Sequence, residues 1–292
     1  MTEIHGPTSH NYISQRLRLH YVDWGNEDKP PLLLVHGGQD HCRNWDWISQ
    51  ELREQYHIIA PDLRGHGDSE WMVGGAYGKF DYVYDIHQLL HQTKMTPVKI
   101  IAHSMGGEVC LRFAGVYPEL VEKMVIIEGL WEHPDQAAIR EEKPIGVRVK
   151  DWEENLRKTA GRSPRKYPTL DDAYNRMHEE NPHLRPDQAR HLTIHGANQN
   201  EDGTYSWKFD NYVRTGNPLR TNQAEDRALW SNITCPVLHV RGTESWASAP
   251  ESDGQLEYFQ KSSYVNIDNA GHWVHHDQLD EFLGHVVPFL ED

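Results

Sequence analysis

An α/β architecture, a mostly parallel sheet with helices on both faces, follows from three features of this 292-residue chain. First, short continuous apolar runs recur at Pro31 to Val35, His57 to Ala60, Val98 to Ala102, Met124 to Ile127, Val237 to Val240 and Tyr264 to Ile267. Runs of this length without polar alternation suit strands buried on both faces. Second, apolar residues at helical spacing fill Trp45 to Leu52, Phe80 to Leu90 and Gly107 to Val116, and recur at Leu279, Phe282, Leu283, Val286 and Val287. Third, the two kinds of segment alternate along the chain, which requires parallel strands joined by crossover helices. Ligands of such sheets bind where strands end and loops begin.

Taken in order, Leu17, Leu19 and Tyr21 alternate with polar residues and predict a half-exposed strand ahead of the buried ones. The alternation of strand and helix stops between roughly Trp131 and Leu229. That stretch is rich in charge, Pro and Asn, and carries helical pieces at Asp171 to His178 and Pro186 to Leu192. An insertion of this kind between two core strands predicts a lid or cap over the open end of the sheet. The expected organisation is a core over 1–130, a cap over 131–229 and the remainder of the core over 230–292.

Composition narrows the function. With 29 basic against 44 acidic residues the net charge is −15, which argues against nucleic acid or an anionic membrane surface as partner. The stretch up to Trp24 mixes Glu3, His5, Arg16 and Arg18 with scattered apolar residues and lacks the apolar core of a signal peptide. Nowhere do about 18 apolar residues run together, as a spanning helix requires. Cys42, Cys110 and Cys235 have no paired spacing, so neither a disulfide framework nor a zinc site is expected. A small-molecule substrate and a cytoplasmic location are the expectations; the oligomeric state is not legible.

The chemistry concentrates at Val98 to Gly107, where an apolar run ends in Ser104 with Ala102 two residues before it and Gly106 two after. A serine at the apex of a sharp strand-to-helix turn needs small neighbours, because strand and helix approach closely there. A serine hydroxyl is a weak nucleophile and needs a base, an acid to orient the base, and donors for an oxyanion. His272 follows the last apolar run on Asp268-Asn269-Ala270-Gly271 and is the candidate base. The run Leu32 to Val35 ends in His36-Gly37-Gly38, and the backbone N–H groups of Gly38 and Met105 are candidate oxyanion donors.

These pieces, with the turn Asp62-Leu63-Arg64-Gly65-His66-Gly67-Asp68-Ser69, resemble the α/β-hydrolase superfamily, and the resemblance covers nearly all of the chain outside the cap. It implies an eight-stranded, mostly parallel sheet, a cap after the sixth strand, a Ser–acid–His triad in that chain order, and no bound cofactor.

The sequence departs from that pattern at the acid. Family members usually place it three residues past a glycine after the seventh strand, but Gly242-Thr243-Glu244-Ser245 puts serine there and glutamate one position earlier. Side chains alternate along extended chain, so a one-residue slip aims Glu244 away from His272. Some members use an acid after the sixth strand, where Ile127 is followed by Glu128. Glu128 is preferred over Glu244, with Asp268 as a third candidate.

Haloalkane dehalogenases and epoxide hydrolases resemble the chain in sheet and cap, but they need a carboxylate nucleophile where this chain has Ser104. What remains is acyl transfer to water, with a carboxylic ester of a small or medium, uncharged or apolar substrate as the leading expectation. Lactone, thioester, amide and carbon–carbon cleavage are alternatives, and so is a non-catalytic ligand receptor of the same fold. Trp131, Trp246 and Trp273 adjoin the proposed site and are candidates for an apolar substrate pocket, or for loop packing. His191 and His195, and His87 and His91, have i, i+4 spacing suited to a metal, but no adjoining third ligand accompanies them in the sequence, and none is expected.

Overall fold

The computed structural model describes residues 6–130 and 132–292. Ten strands run β1 (Thr8–Ser14), β2 (Leu17–Asp23), β3 (Pro31–Val35), β4 (His57–Pro61), β5 (Val98–His103), β6 (Val121–Ile127), β7 (Ala197–Gln199), β8 (Tyr205–Trp207), β9 (Val237–Gly242) and β10 (Ser262–Ile267). Eight of them form one sheet in the order β1-β2-β4-β3-β5-β6-β9-β10, and β7 pairs with β8 in a separate hairpin. From β4 to β10 every pairing in the large sheet is parallel; β1 and β2 add an antiparallel edge. The six buried runs read from the sequence are six of these strands. Strand β1 carries Thr, Ser, His and Asn on an exposed edge and has no apolar run to announce it.

Alternation along each strand divides the core in two. Leu33 and Val35 of β3 join Ile100 and Ala102 of β5 on one face, covered by α2 (Lys79–Thr93) and α3 (Met105–Val116). Leu32, Leu34 and Ile101 point to the other face, under α1 (Asp46–Leu52) and the C-terminal helix Leu279–Glu291. A sheet covered on both sides explains why its central strands are apolar at every position rather than at every second one.

Between β6 and β9 the described residues form five helices, α4 (Pro134–Glu142), α5 (Ile145–Ala160), α6 (Leu170–Glu180), α7 (Pro186–Gly196) and α8 (Gln223–Ser231), together with the β7–β8 hairpin. Helices α6 and α7 match the two helical pieces read from the sequence. Their own small core of Leu184, Ala189 and Leu192 packs on Trp273. Helix α8 crosses position 229 and lies on α3, its Trp230 packed against the first core cluster.

The turn after β4 is held by one carboxylate. Asp62 accepts from the backbone N–H of Cys42 at 2.7 Å, from that of Asp68 at 2.9 Å and from His20 Nδ1 at 2.7 Å. Burial works against the charge, but the hydrogen bond and charge of His20 keep the Asp62 carboxyl well below the usual range.

Several histidines are buried in the neutral form. Burial pushes His36, His239 and His276 down to about 3 and His66 to about 4. A histidine whose folded value lies below its unfolded one stabilises the fold fully above the unfolded value, near 6.5, and that stability is lost as pH falls. Each contributes a loss of about 1 kcal/mol per pH unit below that point. Asp40, raised by burial to about 7, acts with the opposite sign between its ordinary range and that value. Four histidines outweigh one carboxyl, so the urea midpoint is expected to be clearly lower at pH 5 than at pH 7. An equal or higher midpoint at pH 5 would show that these imidazoles are not held neutral.

Gly106, at the start of α3, meets the backbone of β3: a Cβ built there would overlap the His36 carbonyl oxygen and lie 2.6 Å from that of Val35. Gly106→Ala is expected to lower unfolding free energy by about 3 kcal/mol, an overpacking cost with backbone on the far side. Gly284→Ala, in a helix with open space around the new methyl, is expected to raise it by up to about 1 kcal/mol. Paired urea titrations test the contrast; equal effects would contradict it.

Candidate active site

Strand β5 delivers Ser104 to the carboxyl end of the sheet, where its backbone takes φ 50° and ψ −118° before α3 begins. Positive φ is costly for serine, and the neighbours hold it: the Ser104 N–H donates to the Ile127 carbonyl at 2.8 Å and its own carbonyl accepts from Glu108 N at 3.1 Å. The sharp turn lifts Oγ away from the strand.

The loop after β10 and the end of β6 bring partners to it. His272 Nε2 lies 2.9 Å from Ser104 Oγ. His272 Nδ1 lies 3.5 Å from Glu128 Oε2, and Glu128 is the one carboxylate within 4.0 Å of this ring among the described residues. The Glu128 side chain is fully buried, with its backbone at φ 56°. Its Oε1 accepts from the Gly242 N–H at 2.8 Å and its Oε2 from Ser245 Oγ at 2.8 Å. Ser245 is the residue at the position where the resemblance would put the acid. Its hydroxyl reaches across to the carboxylate of the neighbouring strand.

Glu244 turns the other way. Its side chain is half exposed and its Oε2 lies 3.3 Å from His183 Nε2, in the segment between α6 and α7. Asp268 is exposed.

Sequence reasoning passed over three residues here. His103 Nε2 donates to the His272 carbonyl at 2.9 Å and packs under that loop; burial, then the nearby His272, pushes its imidazole well below the usual range, so it stays neutral. His183 and Ser245 are the other two. Only Ser245 left a signal, by standing where an acid was expected.

Gly38 and Met105 face each other, with an ideal Cβ on Gly38 lying 3.9 Å from the Met105 side chain. Neither backbone N–H has an acceptor within the described residues. Met105 is the first residue of α3, whose leading N–H groups lack intrahelical partners. Of the three tryptophans singled out, Trp246 lies 4.6 Å from the His272 ring, centroid to centroid, and is largely exposed. Trp273 lines a cavity of about 340 Å3 that also touches Gly38. Trp131 lies outside the described residues.

Helix α7 sets His191 and His195 beside Asp46 of α1, a third group that the sequence spacing alone did not supply. Arg43 occupies the same place: its guanidinium donates to both Asp46 oxygens, and its Nη1 lies 3.4 Å from His195 Nδ1. Burial, then the Arg43 charge, lowers His195 to about 4. A guanidinium where a cation would sit makes this a tie between α7 and α1. His87 of the other i, i+4 pair stacks on Tyr117 at 4.3 Å.

Residues 30–279 match the family model described as alpha/beta hydrolase fold. A serine hydrolase-like protein of Danio rerio is 24% identical over 92% of this chain and 83% of its own length. A soluble epoxide hydrolase of Corynebacterium sp. strain C12 is 36% identical, but over 41% of each chain; for human epoxide hydrolase 4 the match is 32% over 41% of this chain and 33% of the relative. Among solved structures, E-2-(acetamidomethylene)succinate hydrolase superposes with a TM-score of 0.81 at 22% identity, covering 98% of this chain and all 100% of that one. The thioesterase domain from the curacin biosynthetic pathway gives 0.83 at 20% identity, over 97% and 100%. At such identities the structural likeness carries the fold alone; the family match, spanning most of the chain, carries more. No helix among the described residues is long and apolar enough to cross a membrane. The chain belongs to the alpha/beta hydrolase family and is a hydrolase.

Proposed function

We propose that this hydrolase cleaves carboxylic esters through an acyl-serine intermediate. The observation that supports the reading above all is Ser104 Oγ at 2.9 Å from His272 Nε2, on a strained turn at the carboxyl edge of the sheet. His272 takes the Ser104 proton as Oγ attacks the ester carbonyl, then returns it to the leaving alcohol. The oxyanion forms against the free N–H groups of Gly38 and Met105. Glu128 fixes the tautomer of His272 and stabilises the imidazolium; the 3.5 Å separation is one that a small ring rotation shortens once the ring is charged. Water, activated by the same histidine, releases the acid.

Serine also separates this chemistry from that named for the epoxide hydrolase relatives. Attack of a carboxylate on an epoxide carbon leaves an ester, which water reopens at its carbonyl. Attack by serine would leave an ether, and the site holds nothing to cleave it.

Ser104→Ala and His272→Ala are each expected to lower kcat on an aryl ester by about 10³-fold or more, with the fold intact by circular dichroism. Ser104→Ala should also abolish labelling by a fluorophosphonate. Retention of more than about a tenth of wild-type turnover in Ser104→Ala would overturn the nucleophile.

Glu128→Gln is expected to cost around 10³ to 10⁴ in kcat with little change in KM, the signature of a lost orienting acid. Glu244→Gln, exposed and beside His183, should change kcat by less than about fivefold. The opposite ranking, read from steady-state kinetics of the two folded variants, would move the acid to Glu244.

A further inference from the structure

Two cavities flank the proposed oxyanion site beneath the cap. The larger, about 340 Å3, lies between Gly38, Gln39 and Trp273 on the core and α6 and the β7–β8 hairpin on the cap. The smaller, about 170 Å3, opens beside Met105. Arg214, at the end of the short helical turn Asn211–Arg214, lines both.

The charge in these cavities is opposite to that of the chain, whose net charge is −15. Arg165, Arg176 and Arg214 line the larger one against a single carboxylate, Glu180, which is taken by Arg176. The smaller has five cationic side chains against Glu108, Glu132 and Asp226, and each of those acids is paired: Glu108 with Lys79 and Arg112, Asp226 with Arg112, Glu132 with Arg140. That leaves Arg165, Arg214 and Arg220, for which no carboxylate lies within 4.0 Å among the described residues. Arg214 is positioned without being neutralised. Its guanidinium donates to Gln39 Oε1, beside Gly38, and stands 5.3 Å over the Phe209 ring. Arg165 rests in the same way over Tyr167, at 5.3 Å.

A guanidinium held over an aromatic face and by one hydrogen bond, with no carboxylate beside it among the described residues, is set up to take a carboxylate by two parallel hydrogen bonds. We propose that the natural substrate of this site is an ester that bears a free carboxylate, and that Arg214 is the residue that binds it. This rests on the ester-hydrolase reading and narrows it, replacing the expectation of an uncharged substrate by an anionic one. An acyl or alcohol portion ending in a carboxylate would lie along either cavity with its reacting carbonyl near Gly38 and Met105, since Arg214 stands between the two. The single planar fork is the reason for choosing a carboxylate over a phosphate, which would call on several converging donors.

The test uses matched ester pairs that differ by the charge. For the acyl side these are the mono-4-nitrophenyl ester of glutaric acid and 4-nitrophenyl pentanoate; for the alcohol side, the butyrate ester of glycolic acid and ethyl butyrate. The wild-type enzyme is expected to prefer the charged member of at least one pair by tenfold or more in kcat/KM. The preference should shrink between low and high salt, as an ionic contact in a half-open cavity must. Arg214→Gln should reduce the preference by about tenfold, chiefly through KM, and Arg214→Lys should retain part of it. Arg157→Gln, a cap arginine outside both cavities that pairs with Glu153, should leave it unchanged. Fluorophosphonate labelling of Ser104 in each variant reports whether the site is intact. If Ser104 labels and the neutral esters turn over but neither pair shows a preference, or if Arg214→Gln leaves the preference in place, the anionic substrate is overturned while the ester-hydrolase reading stands. If no ester is turned over and Ser104 does not label, the underlying reading fails and this inference falls with it.

Discussion

The arrangement at the carboxyl edge of the sheet depends on one constraint, the reversal of the chain at Ser104. A strand that becomes a helix in a single residue brings two backbones into contact, and here the start of α3 lies against the carbonyls of Val35 and His36. That contact tolerates no side chain at Gly106. It forces Ser104 into a positive φ, holds Oγ clear of the sheet, and leaves the first N–H groups of α3 facing the same space. The other residues of this edge follow the ends of the neighbouring strands. Gly38 follows β3, Glu128 follows β6, and His272 follows β10.

Glu128 ties this edge together from beneath. The same carboxyl group that faces His272 accepts from the backbone of Gly242 and from Ser245, so the loops after β6, β9 and β10 meet at one buried side chain. Two short hydrogen bonds on one carboxyl group lock its direction. His103 contributes from the strand that carries the serine, by gripping the carbonyl of His272. Both sides of the serine–histidine pair are thus tied by hydrogen bonds to residues at or next to the ends of sheet strands.

The segment between β6 and β9 is built by a different rule. Its helices have little core of their own and rely on polar ties to the sheet domain, such as the group of Arg43, Asp46, His191 and His195. The cavities beside these helices are lined by charged side chains.

Much of this was legible in the residues themselves. Strands buried on both faces must be apolar throughout, so β3, β4, β5, β6, β9 and β10 announced themselves, and the strict demand for small residues around a strained serine marked Ser104. Strand β1 and helices α4 and α5 did not, because an exposed edge and amphipathic cap helices use the same polar residues as loops. The sequence by itself determined the alternating order of strands and helices, the family and the serine, since each is written in local pattern. The closeness of Glu128 to His272, the turning of Glu244 toward His183, the part played by Ser245 and the gathering of Arg165, Arg214 and Arg220 were decided only by tertiary structure. Each joins residues far apart in the chain, and the direction of a side chain at the end of a strand depends on the register of its neighbours, which no local pattern encodes.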